Sequence, residues 1–187
     1  MMLLGGDRGH MHVIPHGVDI PAELGIKDPP DDVRARLNGQ PLIVFIGSAH
    51  APNVEAASYI MDVLAPKFSK CQFAIIGSVC LYFNSAPPNV LLFGFLEEKS
   101  KDQLVGFADI AINPMQSGSG SNLKLAEFFA KSLPTVTTAF GARGYAITDG
   151  KQALICSMDD FPQRLDGLMH DPEQKKSLGR NAFDFAR

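Results

Sequence analysis

A chain of 187 residues, 45% hydrophobic and 20% charged, carries enough apolar material for one well-cored domain and leaves little room for a second. Its net charge of -3 provides no basic footprint, which argues against duplex nucleic acid as a partner. Its three cysteines, Cys71, Cys80 and Cys156, are scattered and form no CxxC pair, so neither a disulfide framework nor a cysteine zinc site is indicated, and a reducing, cytoplasmic setting is the simpler reading.

The opening Met-Met-Leu-Leu is followed at once by Gly5, Gly6 and Asp7, too short an apolar run for a signal peptide. Residues 1–10 read as a frayed segment or as residues foreign to the native chain, and 11–187 as one domain. No apolar run approaches the roughly 18 residues that a membrane-spanning helix needs.

In chain order, a short strand-like run begins at Met11 (MHVIP). The Pro-rich stretch from Ile26 to Pro41 reads as a surface connector with a helical turn. PLIVFIG (Pro41 to Gly47), CQFAIIG (Cys71 to Gly77) and NVLLFG (Asn89 to Gly94) are continuous apolar runs closed by glycine, the pattern of strands covered on both faces. ADIAINP (Ala108 to Pro114), LPTVTT (Leu133 to Thr138) and QALIC (Gln152 to Cys156) complete the set. Between the runs lie helical patterns. The first places Val54, Ala57, Ile60, Met61 and Leu64 on one face, with Pro52 suited to its first turn. A shorter one covers EEKSKDQLVGF, and a firm one covers SNLKLAEFFAKS with Leu123, Ala126 and Phe129 or Ala130 turned inward. Two more follow, from about Asp159 to Met169 and from Pro172 to Ala186, the latter with Asp171 as N-cap and proline in the first helical position.

Strand and helix alternating in this way predict an α/β fold, a Rossmann-like doubly wound parallel sheet. Such sheets bind ligands outside the carboxyl ends of their strands. The loops that follow Ile46, Ile76, Phe93 and Asn113 therefore carry the interest.

The last of these, QSGSGSNLKLAEFF from Gln116, passes from flexible polar residues straight into an amphipathic helix. Gly118 and Gly120 let a ligand approach the backbone closely. The N–H groups of Gly120, Ser121 and Asn122 then suit a phosphate at a helix N-terminus, although Ser121 or Asn122 can equally serve as a plain cap. Lys124 sits in the first turn, where the helix dipole favours an anion, which hints that an anion lies nearby. It can also pair weakly with Glu127, three residues on. Glu127 reads either as a solvated surface carboxylate or as an acceptor for two vicinal ribose hydroxyls.

Four ordered segments carry a resemblance: VIPHGVD (Val13 to Asp19), VFIGSAHAPNVEA (Val44 to Ala57), FGFLEE (Phe93 to Glu98) and GSGSNLKLAEFFAKSLPTVTT (Gly118 to Thr138). Together they resemble the C-terminal, donor-binding domain of GT-B-fold glycosyltransferases of the retaining group 1, or family 4, type, over nearly the whole chain. The resemblance implies a nucleoside diphosphate sugar, UDP- or GDP-linked, as ligand, with no cofactor and no metal. It matches Glu127 to the second glutamate of an E-x7-E motif that holds the ribose. It sets Gly120, Ser121 and Asn122 at the diphosphate, Gly47, Ser48, His50 and Asn53 toward the donor phosphates, Phe93, Gly94 and Phe95 along the base through main-chain groups, and Gly77 with Ser78 at the neighbouring strand end. His16 would fall near an interdomain hinge or serve as a turn residue.

Two positions depart from that pattern. Ser119 stands where the first glutamate would touch the donor sugar, and GSAHAPN holds no Lys or Arg, leaving His50 or Lys124 as substitutes. The resemblance further implies an acceptor-binding N-terminal domain that this chain lacks, and any membrane association would run through that domain. The whole protein would transfer a hexose to a glycan or lipid-linked acceptor in polysaccharide synthesis, with the isolated domain inactive. The rivals are a catalytically degenerate nucleotide-binding or interaction module and an NDP-sugar epimerase of the same architecture.

Overall fold

Six short strands alternate with helices, and the strands are mainly apolar or β-branched runs that pack on both faces. The computed structural model describes residues 17–20, 31–37, 39–119 and 122–187. The run from Met11, His16, Gly120 and Ser121 lie outside the described residues. The strands are β1 (Leu42–Ile46), β2 (Gln72–Ile76), β3 (Val90–Gly94), β4 (Ile110–Asn113), β5 (Thr135–Thr138) and β6 (Leu154–Cys156). All neighbours pair in parallel, in the order β3-β2-β1-β4-β5-β6. The doubly wound sheet read from the sequence is thus the one observed. Because the chain winds outward from β1 to β3 and then returns to β4 beside β1, a crevice opens where β1 and β4 end.

Side-chain alternation splits the sheet residues between two cores. Ile43 and Phe45 of β1 join Phe73, Ile75, Ile110 and Ile112 on one face, against Ile60 and Leu64 and against Phe161, Leu165 and Leu168. Leu42 and Val44 join Ala74, Ile76 and Ala111 on the other. Each fully buried large side chain contributes about 1.5–3 kcal/mol relative to exposure, so neither face can be given up.

The helices are α1 (Asp31–Leu37), α2 (Ala51–Tyr59), α3 (Ala65–Lys67), α4 (Glu98–Phe107), α5 (Leu123–Ala130), α6 (Phe161–Met169) and α7 (Pro172–Ala186). Three expectations need correction. The stretch read as a surface connector with a helical turn holds α1, and Val33 and Leu37 of that helix are buried in the second core. The long helical pattern after Pro52 is interrupted by a π-helical turn, Ile60–Leu64, between α2 and α3. The predicted face still packs, with Ala57, Ile60, Met61 and Leu64 all buried.

The third concerns α5. Leu123 is 45% exposed, and the buried side chains are Leu125, Phe128, Phe129 and Ala130. The segment LKLAEFFA offers two apolar registers, and the one with a leucine and two phenylalanines removes more area from water. Phe128 packs in the second core, while Phe129 joins Ala182 of α7 and meets Phe185 and Tyr145 edge-on. The two adjacent rings therefore face different partners, one the sheet and the other α7.

Candidate functional site

The crevice between β1 and β4 holds a cleft of about 590 Å³, within the range of small-ligand sites. Its first wall is the turn from β1 into α2. Gly47 N–H donates to Ile76 O at 2.9 Å, and Val79 N–H donates to Gly47 O at 3.1 Å. Gly77 has φ +107°, and a Cβ there would overlap the Gly47 carbonyl. Only glycine adopts that conformation without strain at such an approach. The two strand ends are thereby held in contact. Ala49 N–H donates to Ser78 Oγ at 2.9 Å, which fastens the turn to the segment after β2.

His50 occupies the N-cap position of α2 in extended backbone, but its side chain makes no capping bond. It is exposed and lines the cleft. The polar anchor of the turn is Asn53, which is buried: its Nδ2 donates to Ser48 O and Ser48 Oγ, both at 3.1 Å. Its Oδ1 accepts from Lys124 Nζ at 2.7 Å.

The second wall follows β4. Asn113, Pro114 and Met115 are buried, and the chain then surfaces at Ser117, Gly118 and Ser119 before α5 begins. Thr138 Oγ1 donates to Met115 O and accepts from Gly141 N–H, which locks the start of this loop to the end of β5. Ser117 Oγ donates to Glu55 Oε2 at 3.0 Å, joining the loop to α2. Asn122 precedes the first residue of α5 without a side-chain cap. Its Nδ2 donates to Gly141 O at 3.0 Å, and its carbonyl accepts from Tyr145 OH at 2.9 Å. The capping reading of Asn122 therefore gives way to a tether between two strand-end loops.

Lys124 reaches back from the first turn of α5 into the cleft. Its Nζ lies 4.4 Å from the centre of the Phe45 ring and 3.7 Å from Met115 Sδ. Among the described residues no carboxylate stands within ion-pair distance. Burial pushes its pKa down from 10.5 to about 7, against a smaller opposing pull from the charge of Glu127. The expected Lys124–Glu127 pair does not form. Glu127 Oε2 accepts instead from Lys101 Nζ at 3.4 Å, and Lys101 also holds Glu98 at 3.0 Å. The lysine turns away because Asn53 and the Phe45 ring offer it a site inside the fold. The Glu127 carboxylate is half-buried at the edge of the cleft, oriented by Lys101 but not saturated, since a carboxylate accepts about four hydrogen bonds.

Of the residues singled out from the sequence, Gly47, Ser48, His50, Asn53, Ser119, Asn122, Lys124 and Glu127 meet at this cleft. Gly77, Phe93, Gly94 and Phe95 do not line it. Gly77 works as the close-approach residue just described, and its N–H donates to Gly94 O at 2.6 Å. Phe93 is half-buried with Arg36 of α1 5.7 Å from its ring, and Phe95 is 89% exposed. The sequence reading missed Phe140 and Arg143, which line the cleft from the loop after β5. The same signal that flagged the other loops, a polar and glycine-containing stretch after a buried strand, is present in AFGARG and would have found them.

Among the described residues no group of three or more His, Cys, Asp or Glu could hold a metal ion, and no helix is long and apolar enough to cross a membrane.

No curated protein matches the chain significantly. Solved structures match it in fold. One is Alr3699/HepE of Anabaena in complex with UDP-glucose, at TM-score 0.75 and 14% identity, over 97% of this chain and 54% of that one. A second is the C-terminal domain of the glycosyl transferase group 1 family protein LpcC from Francisella tularensis, at TM-score 0.61 and 15% identity, over 88% of this chain and 96% of that domain. A third is a glycosyltransferase from Rickettsia africae, at TM-score 0.69 and 14% identity, over 96% of this chain and 53% of that one. The chain thus spans about half the length of the Anabaena and Rickettsia proteins. The family model described as glycosyl transferases group 1 matches residues 40–171, most of the chain, and the chain therefore belongs to that family.

Proposed function

We propose that this domain binds the nucleoside diphosphate portion of a sugar donor, UDP- or GDP-linked, and is the donor half of a retaining hexosyltransferase. The observation that carries the reading is Lys124, a half-buried amine that faces the crevice at the switch point of the sheet and has no carboxylate partner among the described residues. A partly desolvated cation of this kind is costly alone and becomes more favourable when an anion enters. The first turn of α5 adds its own N–H groups and dipole at the same place. A diphosphate seated there would sit with its leaving-group charge against Lys124, and stabilising that charge in a site fixed beforehand is how such a domain lowers a transfer barrier.

Glu127, one turn further along α5, takes the ribose hydroxyls in this reading, with Lys101 holding its carboxylate in place. The base then extends toward Phe93, Gly94 and Phe95, beyond the cleft proper. The acceptor site belongs to an N-terminal domain that this chain does not contain. All three cysteines are free thiols, which suits a reducing compartment, and we place the activity in the cytoplasm, in polysaccharide synthesis.

The neighbour in complex with UDP-glucose supports the ligand class by fold alone. A titration of the chain with UDP, GDP and ADP, with the matching nucleosides as controls, tests it. Binding of one diphosphate that weakens at least tenfold in Glu127→Ala, with stability changed by less than about 1 kcal/mol, is the expected result. Binding untouched by that change would remove Glu127 from the ribose. A second reading, a catalytically degenerate nucleotide-binding module, is favoured by exposed Ser119 in the place of a sugar-contacting glutamate. Transfer activity in a longer protein containing this domain would exclude it.

A further inference from the structure

The wall between β1 and α2 contributes no Lys or Arg to the cleft, so Lys124 cannot share the charge of a diphosphate with that side. The structure offers a cation on another element. Arg143 lies in the loop after β5, the strand next to β4 on the side away from β1, and lines the same cleft as Lys124 and Asn122. Its guanidinium is stacked over the Phe140 ring at 4.2 Å, and its NH1 donates to Gly118 O at 3.2 Å. Gly118 is the left-handed glycine of the loop that leads into α5, at φ +130°.

These contacts do two things. Stacking on an aromatic face pre-orients the planar fork and lowers the entropy lost when it grips an anion. The bond to Gly118 couples the fork to the segment that precedes α5. A guanidinium has five N–H donors in a fixed plane, so one side chain can hold a carbonyl and meet phosphate oxygens in the same geometry. The loop after β5 is itself anchored, because Gly141 O takes the Asn122 amide and Gly141 N–H donates to Thr138 Oγ1. The arginine is therefore carried on a braced support.

We infer that Arg143 is a diphosphate-contacting residue of the sugar-nucleotide site, supplying from the β5 loop the cationic contact that the β1–α2 turn lacks and fixing the Gly118 loop as it does so. This inference rests on the proposed donor-binding reading. It assigns the cleft a three-sided grip on the pyrophosphate, with Lys124 from beneath, the start of α5 beside it, and Arg143 from the β5 loop.

The test is a calorimetric titration of the wild-type chain, Arg143→Gln and Arg143→Lys with UDP, GDP, ADP, their nucleosides and inorganic pyrophosphate. Arg143→Gln should weaken the bound nucleoside diphosphate and pyrophosphate about tenfold or more and leave the nucleoside unchanged. Arg143→Lys should recover part of the loss, because it restores charge without the fork. Melting curves of both variants should overlay the wild type, the side chain being exposed. If the wild type binds a diphosphate and Arg143→Gln binds it equally, or loses nucleoside and diphosphate alike, the assignment of Arg143 falls and the donor-site reading stands. If the wild type binds none of the diphosphates and no pyrophosphate, both fall together.

Discussion

On the β1–α2 side of the cleft the polar groups answer one another inside the fold: Asn53 takes Ser48 and Lys124, Ala49 takes Ser78, and Gly47 takes Ile76 and Val79. On the β4–α5 side the residues from Ser117 to Ser119 face outward and are held by contacts reaching in from elsewhere, Glu55 on α2 and Arg143 on the β5 loop. The first wall is a hydrogen-bonded turn with no Lys or Arg, and the second is a set of exposed and half-exposed groups steadied from outside. The contrast shows a division of labour. Shape comes from the hydrogen-bonded turn after β1, and charge comes from side chains that reach the crevice from α5 and the loop after β5.

The comparison breaks most visibly at Gly77. Gly77→Ala would drive a Cβ into the Gly47 carbonyl at a left-handed φ, and should lower stability by about 3 kcal/mol in urea unfolding. A loss below about 1 kcal/mol would show that the first wall is not rigid. Asn53→Leu comes next, since it leaves Lys124 without its oxygen and frees Ser48 from the turn. UDP affinity should fall about tenfold and stability by about 1–2 kcal/mol. A variant that keeps full affinity would show that the two walls are not linked through this bond.

Lys124 sharpens the comparison through pH. Its folded pKa of about 7 lies below the 10.5 of an exposed lysine, so between those values the unfolded chain holds a proton that the folded chain does not. Stability contributed by this group therefore rises with pH from about 7 toward 10, and Lys124→Met should flatten that rise. A bound diphosphate raises the lysine pKa, so binding takes up a proton and affinity should fall severalfold from pH 7 to pH 9. Titrations in buffers of different ionisation enthalpy read the uptake directly, and a flat profile in the wild type would remove Lys124 from the phosphate. The smallest effect belongs to exposed Ser119: Ser119→Ala should stay within about 0.5 kcal/mol in stability and twofold in UDP affinity.

Much of the site was legible because strand-end loops announce themselves. The polar, glycine-containing loop after the β4 run and the helix it leads into drew attention to Asn122, Lys124 and Glu127, the resemblance added Gly47 and Asn53, and all five line one crevice. The partners of those residues were not legible. Lys124 and Glu127 sit three apart on a helix, so pairing was the local expectation, but Lys124 is 71 positions from Asn53 in the chain and the carboxylate found Lys101 on α4. The misjudged face of α5 has the same origin, since LKLAEFFA supports two apolar registers and only the sheet and α7 choose between them.

The order of elements, the parallel sheet and the positions of the strand ends followed from the sequence itself, because apolar runs closed by glycine and separated by helical periods leave few other ways to bury both faces of a strand. The choice of which charges meet at the crevice belonged to the tertiary structure. β1 and β4 are separated by two intervening strands in the chain and become neighbours only when the sheet closes. Lys124, Asn53 and Arg143 acquire their common cleft at that step, because desolvation and electrostatic contact depend on distance in space and not on spacing along the chain.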